Sequence, residues 1–411
     1  LTSFIIEHQC PQCGAPAELE ETDRLFRCGY CRVNSYLTTK GVFRYAIPHH
    51  APADKELIYF PYWRFKGMLF SCLPKGIEKR FVDVSQQAIP SIHFPNSVGF
   101  RSQTQKLHFA TGEFPGRFLK PRGSLEAFLE SVDHRFTSRL PKPLLHHEHI
   151  GETISLLYAP FYLGSNVVDA VLNEPLNIGH VDAVSSLLSD TESPNWPITF
   201  VPALCPRCGW NLAGQKDALA LNCTNCNTLW RAKQGKLQEL KAVHVPASSE
   251  EENCLYMPFW RIQADISHIQ LTSKADLIKI ANLPQVAQPG WEHIPFYFWS
   301  PAFKVTPQKL LSCSTGFTAS QPAETLVSGP PSGNLLSVNM PLTEAVQSLK
   351  LVLADLIRPK ERMIDIISDI QVKARRFLLA YLPFREGHHE FIHDRLNLAI
   401  NKNMLVHSRN L

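Results

Sequence analysis

Two stretches of the chain are dense in bulky apolar side chains and carry the same punctuation, Tyr59-Phe-Pro-Tyr-Trp63-Arg64-Phe65 and Tyr256-Met-Pro-Phe-Trp260-Arg261-Ile262, at an offset of 197. Aromatic-rich alternation of this kind predicts β-strands, and the proline inside each predicts an edge position or a bulge. The apolar run Leu57 to Leu73 stops at Pro74-Lys75-Gly76 and resumes at Glu78 to Val84, the pattern of a hairpin. The period then changes. Leu125, Phe128, Leu129, Val132 and Phe136 fall on one face of a helix predicted over 125–140, with Ser124 as its N-cap. A counterpart starts at Thr343 as cap and runs to Ile357, where Arg358-Pro359 stops it. Each half closes on another strand of the same type, Leu157-Tyr-Ala-Pro-Phe161-Tyr162 and Ala380-Tyr-Leu-Pro-Phe384-Arg385.

The order of these elements reads as a tandem duplication. Between them, Ile89-Pro90 and Phe94-Pro95 align with Ile294-Pro295 and Phe298, and Phe100-Arg101-x3-Gln105-Lys106-Leu107 aligns with Phe303-Lys304-x3-Gln308-Lys309-Leu310. The expected fold class is α+β: two tandem copies of a cysteine-rich module followed by a strand-rich domain with one main helix. The domain reading is 1–40 for the first module, 41–190 for the first strand-rich copy, 198–240 for the second module and 241–411 for the second copy. Linkers are expected at Asp190 to Pro197 and Ala247 to Asn253, with a loop or insertion at Gln321 to Gly333, rich in Pro, Ser and Gly.

Eight of the eleven cysteines make four Cys-x-x-Cys pairs: Cys10 and Cys13 with Cys28 and Cys31, and Cys205 and Cys208 with Cys223 and Cys226. Fourteen residues separate the pairs in both sets, and all four cysteines recur at an offset of 195. A Cys-x-x-Cys turn offers two thiolates from one tight knuckle, and two opposed knuckles complete the tetrahedron of soft ligands that zinc prefers. In Cys10-Pro-Gln-Cys13-Gly14 and Cys205-Pro-Arg-Cys208-Gly209, proline sets the entry and glycine permits the exit. Two Zn2+ ions in structural sites are therefore expected. A catalytic zinc is not, because four thiolates leave no open position. The modules resemble the zinc-ribbon family, with rubredoxin-type knuckles, over about 30 residues each. Together with the Tyr-x-Pro-Phe-Trp strands, the tandem order resembles bacterial double-ribbon proteins that accompany membrane-stress and membrane-scaffold proteins. That resemblance implies a protein partner in a multi-subunit, membrane-associated assembly.

Composition narrows the class without choosing a function. Across 411 residues, 44% are hydrophobic and 19% charged, a globular balance spread over two or three domains. No window holds the roughly 18 uninterrupted apolar residues of a membrane span. No signal-peptide pattern precedes Cys10, although Leu1 leaves the true start open. A soluble, cytoplasmic protein is the expectation, with the scattered Cys72, Cys254 and Cys313 as buried free thiols. Net charge is +4, which permits an anionic partner without demanding one. Arg64, Arg101, Lys106, Arg117, Lys120 and Arg122 could form a phosphate-binding surface with nearby aromatics as stacking platforms, diluted by Glu18, Glu20, Glu21 and Asp23.

Two histidine groups complete the candidate chemistry. His389-Glu390-Phe-Ile-His393 fits the His-Glu-x-x-His pattern of zinc metallopeptidases, with His407 as the sole obvious downstream third ligand. Alignment of the halves instead sets this segment opposite Asn166 to Ala170, after a strand rather than on a helix. His146-His147-Glu148-His149 is a possible metal group, and the plainer reading is a solvated polar turn. No phosphate loop, nucleophile elbow or dinucleotide fingerprint is present, and no small-molecule substrate is indicated. The sequence therefore points to a non-enzymatic zinc-binding adaptor or scaffold working through protein–protein contacts. Nucleic-acid binding is the alternative, and a metallopeptidase using residues 389–393 the third.

Overall fold

The computed structural model describes residues 4–407 apart from 100–104, 113, 165, 177–183, 185–186, 234, 248–253, 323–324 and 397. Strand makes up 40% and helix 19%, an α+β protein. In the first half the elements are β1 (Phe43–Ala46), β2 (Leu57–Leu73), β3 (Gly76–Gln87), β4 (Leu107–Phe109), β5 (Arg117–Leu119), α1 (Leu125–Thr137), β6 (His146–Leu163) and β7 (Val167–Asp169). In the second they are β8 (Ala242–His244), β9 (Cys254–Ile266), β10 (Phe298–Pro301), α2 (Pro307–Ser320), β11 (Val327–Ser328), β12 (Asn334–Leu335), α3 (Leu342–Leu356), β13 (Val372–Glu386) and β14 (Glu390–His393).

The halves share one sheet plan. Strand order is β3-β2-β6-β1-β4 in the first and β10-β9-β13-β8-β11 in the second. The registers correspond: Tyr62 faces Leu157 where Phe259 faces Ala380, and Tyr59 faces Phe118 where Tyr256 faces Leu335. Individual hydrogen bonds recur as well. Ala88 N donates to Pro61 O and Ala302 N to Pro258 O, both at 2.9 Å. The indole of Trp63 donates to Gly123 O at 3.1 Å, and that of Trp260 to Met340 O at 3.0 Å, tying each central strand to the start of its helix. Replacing Trp260 by Phe strands a buried carbonyl, so the unfolding free energy should fall by about 1–3 kcal/mol in chemical denaturation.

Several expectations need correction. The Tyr-x-Pro-Phe strands are central, not edge strands, and their prolines sit in the ladders. Pro61 lies between the residues of β2 that pair with β5 (58–59) and those that pair with β3 (62–73). Pro160 likewise lies between the segments of β6 paired with β1 and with β7. A strand changes neighbours there, so the missing N–H leaves no ladder bond broken. The alignment of the intervening segments also fails. By register Gln87 matches Pro301, so Ile89 matches Phe303 and not Ile294. Ile294 accepts from Lys274 N at the start of a short helix, Lys274–Ala281. Leu107 is in a strand, whereas Gln308 to Leu310 lie in α2, so the second half has two long helices instead of one. Ser124 caps α1 as expected, accepting from Ala127 N, but Pro341 rather than Thr343 precedes α3. The Asp190–Pro197 linker is ordered: Thr191–Glu192 pairs with β5, and Trp196 stacks on Tyr158 at 5.2 Å.

Neither half closes its core alone. The far ends of β2 and β6 (Met68, Phe70, Cys72 and Ile150), with Leu145 just before β6, are buried in the same cluster as Leu349, Val352 and Leu353 of α3. The long first-half hairpin is thus covered by a second-half helix. Among the described residues no helix is long and apolar enough to cross a membrane.

Candidate metal centres

Each tetracysteine set converges in space, with its four Sγ atoms within 4.8 Å of one another. In the first set Cys10 and Cys31 lie 3.7 Å apart, as do Cys13 and Cys28. In the second, Cys205 and Cys226 lie 3.6 Å apart, and Cys208 and Cys223 3.5 Å. A tetrahedron with metal–sulfur bonds of about 2.3 Å has edges of about 3.8 Å, close to these separations. The knuckles form for local reasons. Gly14 N bonds Cys10 O at 2.9 Å and Gly209 N bonds Cys205 O at 2.8 Å. Both glycines take left-handed backbone angles, at φ +72° and +75°. The second knuckles use Arg32 (φ 61°) and Asn227 (φ 51°) at the matching position.

The backbone also prepares the sulfurs for charge. N–H groups of Cys31 and then Tyr30 bring the Cys28 thiol down to about 6, against burial. Burial works to raise Cys205, but the N–H groups of Arg207 and Cys208, with Cys226 and Cys223, bring it to about 6. Its neighbour Cys223 is pushed up to about 12, first by burial and then by its sulfur neighbours. A dication among four crowded thiols lets all of them ionise. Cys72 and Cys313, each fully buried and raised to about 12 by burial, are inert core thiols, while Cys254 is half-buried.

The second set carries an outer contact that sequence reading missed. Thr228 Oγ1 lies 3.0 Å from Cys226 Sγ and 3.8 Å from Cys205 Sγ, and it accepts from the Trp230 indole at 2.8 Å. The matching positions of the first set are Val33 and Ser35. The two modules are not separate beads. Thr199–Pro202 pairs with Asn34–Thr38, and Arg24 N and Leu25 N both bond Lys216 O at 2.7 Å. A small core of Tyr36, Ala203, Leu212, Leu221 and Trp230 lies between them. The first module also joins the main sheet through Ile5–Gln9, parallel to β4.

The other candidate residues divide sharply. The proposed basic surface does not assemble. Arg64 is buried between Glu21 and Asp83. Lys106 pairs with Glu18 at 2.6 Å, Arg117 with Glu56 at 2.8 Å and Arg122 with Asp190 at 3.1 Å. Arg101 lies outside the described residues, and Lys120 is exposed. The His-Glu-x-x-His string is on a hairpin and not a helix. His389 is exposed in the turn, while His393 in β14 is buried against Phe317 and Phe384 at 5.1 and 5.3 Å. His407's side chain lies outside the described residues, and among those described no further ligand joins His389 and His393. His146 to His149 is not a solvated turn: it opens β6, and His147 and His149 meet Asp133 of α1.

Comparison with protein-family models, with curated proteins and with solved structures returns no match. The geometry is consistent with two tetracysteine metal sites of the zinc-ribbon kind.

Proposed function

We propose that the chain is a zinc-stabilised adaptor that docks a protein partner within a larger assembly. One Zn2+ is held by Cys10, Cys13, Cys28 and Cys31, the other by Cys205, Cys208, Cys223 and Cys226. The observation that carries the reading is the exposure of two large aromatics beside the knuckles. Tyr30, between Cys28 and Cys31, is 71% exposed, and Trp210, two residues after Cys208, is 57% exposed. Both belong to short turns that the metal would hold rigid, and rigid aromatics are the residues that most often dominate protein interfaces. Trp210 lines a groove of about 540 Å³ with Leu25, Phe26 and Arg27 of the first module. Pairing of Arg64, Lys106, Arg117 and Arg122 with carboxylates favours this reading over nucleic-acid binding. The thiolates require a reducing compartment, in keeping with a cytoplasmic protein. The resemblance to double-ribbon proteins makes membrane-scaffold proteins the first partners to test.

The test is capture on the immobilised full chain, followed by mass spectrometry. A defined protein should be retained through nuclease and high salt. It should be lost when Tyr30 and Trp210 are both changed to Ser with metal content unchanged. Release by nuclease or salt would support the nucleic-acid alternative, and retention by the double variant would remove the knuckle aromatics from the interface.

A further inference from the structure

We propose that Asp133, His147 and His149 form a third metal site, one that takes a divalent transition metal and keeps coordination positions open. His147 and His149 are two residues apart on β6, so both imidazoles project from the same face of the sheet. Helix α1 lies over that face and brings Asp133 down between them. Asp133 Oδ1 is 3.0 Å from His147 Nε2 and 2.7 Å from His149 Nε2. All three atoms are buried, and Oδ1 stands at ion-pair distance from both nitrogens. The two rings stand at 89° to each other, so they approach the carboxylate from different directions.

That arrangement calls for positive charge among the three donors, supplied by a proton on a ring nitrogen or by a metal ion. Two imidazole nitrogens and a carboxylate oxygen at these separations repel one another if all three present lone pairs, and their burial denies them water. A metal ion turns the same convergence into coordination. The surrounding contacts prepare the ligands. Ser71 Oγ, on β2 opposite His147, lies 2.9 Å from His147 Nδ1. With the hydroxyl accepting from Nδ1–H, the tautomer that leaves Nε2 free to ligate is selected. The edge of the Phe65–His149 contact, at 5.2 Å, holds the second ring.

The donor set names the class of ion. Two imidazoles and one carboxylate suit Zn2+, Fe2+, Co2+ or Ni2+ better than Ca2+ or Mg2+, which prefer oxygen, or Cu(I), which prefers sulfur. Three protein ligands leave at least one position for water or an added ligand, unlike the closed tetracysteine sites. The Asp133 side chain is 37% exposed although its Oδ1 is buried, so solvent borders the centre on the helix side without touching the three donor atoms. His146 and Glu148 project to the opposite face and pair with each other at 3.5 Å. The second half lacks the site: by the match of Leu125 to Leu342, Lys350 occupies the helix position of Asp133.

Cobalt titration of the full chain, with both tetracysteine sites already loaded with zinc, tests the proposal. The protein should bind one further equivalent of Co2+ whose visible bands appear without sulfur-to-cobalt charge transfer, which separates it from exchange at the thiolates. Asp133→Asn and His149→Ala should abolish that equivalent, and His146→Ala should retain it. Ser71→Ala keeps all three ligands and should weaken binding by about 10-fold or more, so the site is readable even where a ligand variant folds poorly. Absence of the extra equivalent in the unaltered protein overturns the site. So does its retention at equal affinity in folded Asp133→Asn or Ser71→Ala.

Discussion

Changing Cys223 to Ser should cost the protein one zinc of two in the tetracysteine sites and unfold far more than a surface loop. Cys223 is fully buried and lies in the strand Ala220–Cys223, paired with Thr228–Lys233. Structural zinc in isolated modules contributes about 10–16 kcal/mol of apparent binding energy, comparable to the whole stability of a typical domain. The module it holds is wedged into the rest of the chain. Leu219 N donates to Val338 O at 2.7 Å, and Asn339 Nδ2 donates to the buried Asp217 at 2.7 Å. Those contacts brace the segment that leads into α3, the helix that covers the first-half hairpin. Elemental analysis should show the zinc loss, and thermal unfolding should show an early transition that includes part of the second half. Cys313→Ser is the control: a buried thiol that ligates nothing should leave the metal count at the wild-type value. Equal metal content in Cys223→Ser would refute the site.

The second large effect is expected at Arg64. Its guanidinium is 4% exposed and bridges Glu21, in a turn midway along the first module, to Asp83 on β3. Burial alone would depress its proton affinity, but Glu21 and Asp83 together hold it above the ordinary arginine range. Removing one partner of a buried pair leaves uncompensated charge, so Arg64→Ala should lower the unfolding free energy by about 3–5 kcal/mol. Arg117→Ala, which breaks an exposed pair with Glu56, should cost no more than about 1 kcal/mol. Chemical denaturation of the two variants checks the contrast, and equal losses would sink it. Pairing Arg64→Met with Glu21→Gln should recover part of the deficit, because the orphaned carboxylate goes with its partner.

Arg64 and Arg261 also show how a repeat keeps a position while changing its chemistry. Both follow the tryptophan of the central strand. Arg64 faces carboxylates, whereas Arg261 stacks 3.6 Å from the centre of the Tyr297 ring. The match between them is visible in the sequence, and register sets Asp83 and Tyr297 at equivalent positions beside them; the second carboxylate, Glu21, comes from the first module.

The tetracysteine sites were legible because their chemistry is local. Two Cys-x-x-Cys turns fourteen residues apart can close a tetrahedron with only a hairpin between them, so spacing alone defines the ligands. The aromatic strands and the two helices at Leu125 and Leu342 were legible for a similar reason, since apolar period, and for α1 the Ser124 cap, are properties of neighbours in the chain, whereas the cap expected at Thr343 was not found. Other features needed the tertiary structure. Pro61 and Pro160 could be central only because each sits where its strand exchanges one neighbour for another, which no single strand reveals. The histidines at 147 and 149 look like a polar turn until α1 folds back and sets Asp133 over them. Packing of α1 on the sheet brings Asp133 to them, and that depends on which face each element buries. By itself the sequence determined two tetracysteine clusters that could hold metal and a repeated strand plan. Tertiary packing decided that the modules share a core, that Arg64 is an internal tie, and that an aspartate meets two histidines. Ligands on one hairpin are joined by the chain, whereas ligands on a helix and a strand are joined only by the burial that brings those elements together.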